Sequence, residues 1–223
     1  MATSAKPEAA LPFRAAEPPH DCPRCPRLAD FRHRLRAREP GWFNAPVPSF
    51  GPVDARLLIV GLAPGMQGAN RTGRPFTGDY AGDLLYATLK QYGFATGEYE
   101  QRPDDTLELV DARISNAVRC VPPENKPTPA EINTCRDFLI GTFDEMPSVS
   151  AVVALGRIAH DTVLRACGEK LSARKFAHGA KHDLGKFMLF DSYHCSRYNT
   201  NTGVLTPEMF RAVFEDVRAY LSA

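Results

Sequence analysis

A glycine-rich segment, "GLAPGMQGANRTGRPFTGD" (residues 61–79), holds the first residues whose types and spacing could do chemistry. Its glycines would let backbone N–H groups approach a phosphate or a flat ring closely. The segment also carries an aromatic ring (Phe76), two arginines (Arg71 and Arg74) and, at its end, one carboxylate (Asp79). Such a set would suit a nucleobase with its sugar and phosphate. The alternative is a surface loop in which Asp79 only caps a helix.

The order of these glycines argues against a bound nucleotide cofactor. The segment matches neither G-x-x-x-x-G-K-[ST] nor G-x-G-x-x-G, the two spacings that cradle the phosphates of such cofactors. A nucleotide cofactor therefore has poor support, and recognition of a base fits the segment better.

Polar residues also follow two other apolar runs. Asn116 ends "RISN", and its amide offers an acceptor beside donors, so it can pair with an N–H next to a carbonyl, as on uracil. His194 opens "HCSRYNTNTG", whose hydroxyls and amides can contact phosphates. The alternative is that each is an ordinary turn or hydrogen-bonded polar residue. A third run leads to Gly156, which we interpret as a structural turn.

Four of the six cysteines form a metal-binding pattern. Cys22 and Cys25 are spaced as C-x2-C, and Cys120 and Cys135 lie further along the chain. Without a secretory signal, cysteines are considered as metal ligands before disulfides. Four thiolates suit either a structural Zn²⁺ or a [4Fe–4S] cluster, and ligand identity alone does not separate the two. Ordinary buried cysteines are the alternative.

Alternating strands and helices must position these residues. The alternation predicts an α/β fold, a three-layer sandwich with a central four-stranded parallel sheet flanked by helices. Ligands of such sheets bind at the carboxyl ends of the strands, here the loops that begin at 61, 116, 156 and 194. The predicted strands are 56–60, 108–116, 150–155 and 187–193, and the predicted helices are 81–92, 129–145, 157–167 and 206–221.

Length and composition bound the organisation of the chain. With 223 residues, of which 43% are apolar, we expect a disordered tail over residues 1–19 and a single domain over residues 20–223. The net charge of +1 excludes a global basic field, so any nucleic-acid surface must be local. No apolar run suggests a membrane span or a secretory signal, and a cytoplasmic protein is expected.

Together these segments resemble the uracil-DNA glycosylase superfamily, specifically its iron–sulfur members of family 5, the type b enzymes. The resemblance extends from about residue 20 to the C-terminus. It is carried by the C-x2-C pair, "GLAPG…GANRTGRPFTGD" (61–79), "AVRCVPPENKPTP" (117–129), "ALGRIA" (154–159) and "SYHCSRYNTNTG" (192–203).

The resemblance implies roles for the candidate residues. Asp79 and His194 would be catalytic, with Asp79 facing the sugar and His194 stabilising charge on the base, while Phe76 would stack on the base. A [4Fe–4S] cluster would take Cys22, Cys25, Cys120 and Cys135, and the alternative remains a structural zinc. The rest of the base pocket would be Gly61, Ala63, Pro64, Gly65 and Asn116, and DNA would contact Asn70, Arg71, Arg74, Ser196, Arg197, Tyr198 and Asn199.

The implied activity is that of a monofunctional DNA glycosylase in base excision repair. It would flip uracil out of DNA, hydrolyse the N-glycosidic bond and leave an abasic site, acting as a monomer near the nucleoid. Type b enzymes commonly have a small residue at position 116, so Asn116 would shift preference toward uracil over bases such as hypoxanthine. The main alternative is a non-catalytic damaged-DNA binding protein with the same fold. An iron–sulfur electron carrier and a zinc-dependent nucleotide hydrolase are weaker alternatives.

Overall fold

The computed structural model describes residues 15–223, which form seven strands and seven helices in addition to two short 3₁₀ turns. The strands are β1 (Leu57–Gly61), β2 (Ala95–Thr96), β3 (Glu108–Leu109), β4 (Ala112–Asn116), β5 (Ala151–Leu155), β6 (Lys181–Asp183) and β7 (Met188–Ser192). The helices are α1 (Pro26–Arg38), α2 (Ala69–Thr72), α3 (Tyr80–Gln91), α4 (Pro129–Glu145), α5 (Arg157–Ala166), α6 (Arg197–Asn201) and α7 (Pro207–Ser222).

The central sheet has five strands in the order β4-β1-β5-β7-β6. The first four are parallel, which confirms the predicted sheet, and their carboxyl ends meet at one edge. The fifth strand, β6, was not predicted and pairs antiparallel with β7. Its three residues, Lys-His-Asp, have no apolar alternation, so nothing in the sequence marks them as a strand.

Helices cover both faces of the sheet because its strands are apolar on both sides. In β1, Leu57 and Ile59 pack in one core with residues of α3 and α7, whereas Leu58 and Val60 pack in a second core with residues of α4 and α5. Thr128 begins α4 with a capping box to Glu131, as its Thr-Pro signal predicts. Within residues 15–223, no helix has both the length and the apolar character needed to cross a membrane.

Several predicted boundaries need correction. The predicted strand 108–116 divides at Asp111, whose φ of 53° is left-handed: β3 pairs with β2 in a small hairpin, and β4 joins the main sheet. The helices α1, α2 and α6 were not predicted. Two of them are only four and five residues long, and α1 is rich in arginine rather than apolar residues.

The N-terminal tail was expected to extend over residues 1–19. Residues 1–14 of it lie outside the described residues. Ala16, however, is buried, and the Glu17 carboxylate accepts hydrogen bonds from the Arg119 guanidinium and the Ser49 N–H, both at 3.0 Å. Residues 16 and 17 therefore pack on the domain, which begins before residue 20.

Candidate active site

A cavity of about 560 Å³ opens at the carboxyl ends of β1, β4 and β7. The loops that begin at 61, 116 and 194 all contribute to its wall, as the strand-end rule predicts. The loop at 156 does not line the cavity but lies behind it, where a Cβ on Gly156 would be 3.6 Å from Cβ of His194. The predicted residues that line the cavity are Ala63, Pro64, Gly65, Phe76, Asp79, Asn116, His194, Ser196 and Arg197.

The glycines of the first loop make room for the functional side chains. A Cβ on Gly61 would lie 2.8 Å from Cζ of Phe76 and would overlap Oδ1 of Asn116. A Cβ on Gly65 would lie 2.9 Å from Oδ2 of Asp79. Gly61 therefore does not border the cavity itself but allows Phe76 and Asn116 to approach the end of β1.

Phe76 forms an aromatic wall together with His194. The two rings lie 5.8 Å apart between centroids and are inclined by only 26°. Phe76 has a left-handed φ of 52°, which costs a non-glycine residue about 1 kcal/mol or more. The backbone around it is held by hydrogen bonds from the hydroxyls of Tyr86 to the Pro75 carbonyl (2.6 Å) and of Tyr99 to the Phe76 carbonyl (3.1 Å).

Asn116 presents an unpaired polar atom at the cavity. Its side chain is 3% exposed, and its Oδ1 has no hydrogen-bond partner among the described residues. A buried acceptor without a donor costs about 1–3 kcal/mol. Because Oδ1 is buried beneath the cavity wall, a ligand N–H would satisfy it after the amide rotates to bring this oxygen to the surface, and the wall then suits a base that presents a donor.

Asp79 begins α3 and borders the cavity. Its Oδ1 accepts the Ala81 N–H at 3.1 Å, so the helix-capping role that the sequence left open is real. Burial raises the pKa of Asp79 above its usual 3.8, against the backbone hydrogen bonds that lower it. The group is thus both a helix cap and a partly buried carboxyl group in the cavity wall.

His194 is kept neutral by its surroundings. Burial lowers the pKa of His194 to about 4, so the imidazole carries no charge at neutral pH and can still donate one hydrogen bond. Its backbone carbonyl accepts a hydrogen bond from Nδ2 of Asn199 at 2.8 Å. Asn199 was expected to contact DNA, whereas in the structure its amide holds the His194 segment.

The rim of the cavity carries exposed cationic and aromatic groups. The guanidinium of Arg197 lies 5.4 Å from the ring centre of Tyr80, and both residues line the cavity. Tyr198, next in the chain, is 75% exposed. Ser196 caps α6 by accepting the Asn199 N–H at 3.4 Å.

Two predicted DNA-binding residues face inward instead. Asn70 is fully buried and donates to Oδ1 of Asn44 at 2.9 Å. Arg74 is 5% exposed and forms a bidentate ion pair with Asp105, with both N–O distances 2.7 Å. In this structure both side chains are thus paired with protein groups rather than exposed, and their contact with DNA stays a prediction. Arg71, by contrast, is exposed.

Some cavity residues were not identified from the sequence. Gln67 belongs to the first loop, and Tyr80 begins the helix that follows it. Their closeness to Asp79 in the sequence was the one available signal. Asn125 comes from the proline-rich 121–129 loop, where Glu124 and Asn125 both have left-handed φ values of 56° and 57°. Two consecutive residues with left-handed backbone cannot be anticipated from "PPENKP", so the sequence did not predict that Asn125 would line the cavity.

The four patterned cysteines come together beside the sheet, away from the base cavity. Cys22, Cys25, Cys120 and Cys135 line one narrow pocket with Arg32. Nη1 of the buried Arg32 lies 2.9 Å from Sγ of Cys120, and the backbone N–H of Arg119 donates to Sγ of Cys135 at 3.3 Å. Converging sulfurs with N–H donors around them fit a metal or cluster held by thiolates.

A second group of ligand-type side chains consists of His160, His182 and Asp191, whose ligand atoms lie within 4.8 Å of one another. The Asp191 carboxylate is fully buried and lies 2.7 Å from Nδ1 of His160 and 3.0 Å from Nε2 of His182. These direct hydrogen bonds account for the grouping of the three side chains. Together they link α5, β6 and β7, and we call them the His160–Asp191–His182 brace.

The cavity combines four chemically distinct groups: an aromatic face, an amide with a free acceptor, a neutral imidazole and a carboxyl group. A planar base can stack on the first and pair with the second. Breaking a bond between a base and its sugar builds positive charge on the sugar and negative charge on the base. The carboxylate and the imidazole are suited to those two charges.

Comparison with known proteins agrees with this chemistry. Residues 48–218 match the family model described as the uracil DNA glycosylase superfamily. A type-5 uracil-DNA glycosylase from Thermus thermophilus is 45% identical over 204 residues, covering 88% of this chain and 92% of the relative. A type-5 uracil-DNA glycosylase from Mycobacterium leprae is 42% identical over 207 residues, with coverage of 88% and 90%.

More distant relatives extend the same picture. A type-4 uracil-DNA glycosylase from Thermotoga maritima is 32% identical over 168 residues, which cover 75% of this chain and 77% of the relative. The family match thus extends over most of the described fold, including β1, β4, β5 and β7. The chain belongs to the uracil DNA glycosylase superfamily, and the resemblance carried by its motifs is confirmed.

Proposed function

We propose that this protein is a monofunctional uracil-DNA glycosylase whose active site is the cavity at the carboxyl ends of β1, β4 and β7. One observation carries the proposal: the unpaired Oδ1 of Asn116 lies in a wall shared with Phe76, Asp79 and His194. The family and the relatives' names support the same activity.

Asn116 would recognise the base. Its Oδ1 would accept the N3–H of uracil, and its Nδ2 would donate to the neighbouring carbonyl. With the amide held in this orientation, cytosine, which presents an amino group and an unprotonated ring nitrogen at this edge, would leave both atoms of the amide mismatched. Uracil would thus be selected over cytosine by the pairing of one buried side chain.

Asp79 and His194 would share the chemical step. As the C1′–N1 bond breaks, its electron pair stays on the uracil and the sugar becomes cationic. The Asp79 carboxylate would stabilise that cation and orient the water whose oxygen bonds to C1′; this water gives up one proton, through the carboxylate or to solvent, and the uracil anion takes up a proton from solvent after release. The neutral His194 would donate a hydrogen bond toward the base oxygen. Removing one such donor typically costs about 10²–10³ in rate.

The base must leave the duplex before it can enter the cavity. Extrusion costs a few kcal/mol, and the cost is least at mismatches, so G·U pairs should be favoured substrates. Arg197 at the rim would contact a phosphate, and the exposed Tyr198 would fill the space that the base leaves. Both assignments rest on their position beside the cavity mouth.

The product would be an abasic site rather than a cleaved strand. Among the described residues, no lysine lines the cavity, so the Schiff base of a bifunctional glycosylase has no donor there. Such a product places the enzyme at the first step of base excision repair. We also propose that it acts as a monomer, in the cytoplasm at the nucleoid where its substrate lies.

Hypoxanthine would be a secondary substrate. Its N1–H also lies next to a carbonyl, so the amide of Asn116 can pair with it, and a cavity of about 560 Å³ has room for a purine. The purine must be extruded from a larger stack, so we expect slower release than for uracil.

The cysteine pocket would hold a [4Fe–4S] cluster on Cys22, Cys25, Cys120 and Cys135. Sulfurs around one zinc would be about 3.8 Å apart, given Zn–S bonds of about 2.3 Å. A structural zinc on the same four thiolates is the alternative. When bound, the cluster would supply a rigid cross-link between α1, the loop after β4 and α4.

The experiment uses end-labelled duplexes that carry uracil or hypoxanthine opposite G, incubated with the protein and then treated with or without alkali. We expect breaks at uracil only after alkali, with fewer at hypoxanthine. Breaks without alkali would contradict the monofunctional assignment. Binding without any break would favour the alternative, a damaged-DNA binding protein, which the presence of both Asp79 and His194 in the cavity argues against.

A further inference from the structure

A second cleft, of about 450 Å³, lies next to the proposed base cavity and has no role in the chemistry above. It is lined by Trp42 and Phe43, by Arg71 and Thr72 and by the segment from Gln101 to Pro103. Phe43 is 36% exposed, a large value for a phenylalanine in a packed domain, and Trp42 is partly exposed. Two neighbouring aromatic side chains thus form one wall of an open surface cleft.

The cleft and the base cavity are two sides of one backbone segment. Phe76 and Gly78 line the cavity, whereas Arg71 and Thr72 line the cleft. Little material separates the cavity from the cleft, since a Cβ on Gly78 would lie 2.8 Å from Nη2 of Arg71. A DNA strand with one nucleotide in the cavity would therefore have its neighbouring nucleotide close to the cleft.

The aromatic wall is fixed in place by the backbone. The Phe43 N–H donates to the Arg71 carbonyl, and the Asn44 N–H donates to the Asn70 carbonyl, both at 3.0 Å. The Phe43 ring covers Gly73, where a Cβ would lie 2.8 Å from the ring and φ is 78°. Because these contacts hold the aromatic segment rigid, stacking on it would cost little conformational entropy.

The charge of the cleft comes from one arginine. The positive charge of Arg102 is compensated by two carboxylates, since its guanidinium nitrogens lie 2.6 Å from an oxygen of Glu100 and 3.8 Å from an oxygen of Asp104. Arg71 is exposed and, among residues 15–223, forms no ion pair; its Nε donates to the Gln67 carbonyl at 2.9 Å. Its two terminal nitrogens remain able to bind an anion.

Aromatic faces next to a guanidinium are the means by which proteins hold unpaired nucleotides, with a base on the ring and a phosphate on the cation. We propose that this cleft binds the nucleotide adjacent to the extruded one, with its base against Trp42 and Phe43 and its phosphate on Arg71. The inference rests on the proposed function, because the neighbouring cavity is taken as the base pocket. It adds a second nucleotide-binding site to the substrate-binding surface.

Trp42 is the sole tryptophan of the chain, so intrinsic fluorescence reports on this cleft directly. The probe is a duplex with 2′-fluoro-2′-deoxyuridine opposite G and a mismatched base next to it, which is free to leave the stack; the fluorine slows bond cleavage. We expect saturable quenching of Trp42 emission by this duplex. Phe43→Ala should raise the Kd at least about fivefold, the lower end of what base stacking contributes. Arg71→Ala should also raise the Kd, because the phosphate loses its cation.

Two further variants make the test decisive. Phe43→Leu keeps an apolar side chain over Gly73 without an aromatic face, so it should bind as weakly as Phe43→Ala. Lys186→Ala, in the turn before β7 at the opposite end of the sheet, is the charge-loss control for Arg71→Ala and should bind like the wild type. Full affinity in Phe43→Leu, or Trp42 emission that does not respond to the duplex, would overturn the proposal.

The outcome separates the two proposals. A wild-type protein that releases uracil while Trp42 emission stays unchanged would remove the second nucleotide site and leave the proposed function intact. A wild-type protein that releases no base would contradict the proposed function itself.

Discussion

At the scale of single residues, Asn116 is the side chain on which the proposed base selection depends. Replacing it with alanine removes both the acceptor and the donors, so we expect kcat/KM for uracil in duplex DNA to fall about 10–100-fold, as for the loss of a buried hydrogen-bonding group. Single-turnover and steady-state kinetics with a G·U duplex measure this. Asn133→Ala, an exposed asparagine on α4, is the matched control. Equal kcat/KM in the two variants would remove Asn116 from recognition.

The two ionisable residues of the cavity predict the pH dependence of the reaction. The pKa of Asp79 lies above 3.8, and that of His194 lies near 4, both because of burial. Above both values Asp79 is ionised and His194 is neutral, the state the chemistry requires. The rate should therefore be level through neutral pH and fall in acid as Asp79 and His194 take up protons.

The measurement is the pH profile of kcat/KM for uracil release. An acid limb near pH 6.5 that persists in Asp79→Asn would contradict the account, because it would then require a histidine that loses its charge only there.

At the scale of elements, the cysteine pocket holds the loop that brings Asn125 to the cavity. Arg27, two residues after Cys25, contacts both Glu131 of α4, at 2.7 Å, and the Lys126 carbonyl, at 3.1 Å. The loop 121–127 is thus fixed at both ends by elements that carry cysteines.

Loss of the proposed cluster should loosen this loop. We expect Cys135→Ser to reduce the visible absorbance of the purified protein and to speed amide hydrogen exchange over residues 121–135, with β1 and β5 unaffected, because a cross-link between three segments is lost. Hydrogen exchange with mass spectrometry measures this. Cys167→Ser, at an exposed cysteine, is the control. Identical exchange in the two variants would show that these cysteines hold no cross-linking group.

At the scale of the whole molecule, the His160–Asp191–His182 brace links stability to pH. Both ring nitrogens of His160 face acceptors: Asp191 Oδ1 at 2.7 Å and the Arg174 carbonyl at 3.0 Å. Burial is the largest single influence and would lower the pKa of His160, but the hydrogen bond and charge of Asp191, together with the hydrogen bond to the Arg174 carbonyl, outweigh it and raise the pKa above 6.5. The resulting stability is fully present below pH 6.5 and is lost as pH rises through the raised pKa.

Urea unfolding from pH 6 to pH 9 tests this brace. The free energy of unfolding of the wild type should decrease with pH across this interval. Asp191→Asn should be less stable by about 3–5 kcal/mol at pH 6, as when one partner of a buried pair is removed, and should depend less on pH. Asp216→Asn, which breaks the exposed pair with Lys181, should change stability by about 1 kcal/mol or less. A wild-type curve that is flat with pH would contradict the brace.

How much the sequence could predict also depends on scale. Asn116 and His194 were identified because each lies at or just beyond the end of a strand, where a parallel sheet gathers its ligand-binding residues, and Asp79 because it closes the glycine-rich segment after β1. Asn70 and Arg74 lie in the same motif, yet their partners Asn44 and Asp105 are distant in the sequence, so their burial could not be foreseen. Residues contributed by turns with left-handed backbone, such as Asn125, leave no periodic signal.

The central claim is that the carboxylate of Asp79 acts at the sugar while a uracil occupies the neighbouring cavity. The most direct measurement is the single-turnover rate of free uracil release from a G·U duplex, quantified by mass spectrometry for wild type and Asp79→Asn. Asparagine keeps the cap of α3 but removes the charge, so we expect a fall of about 10²–10³ in rate with little change in DNA affinity. A rate for Asp79→Asn within about threefold of wild type would contradict the account.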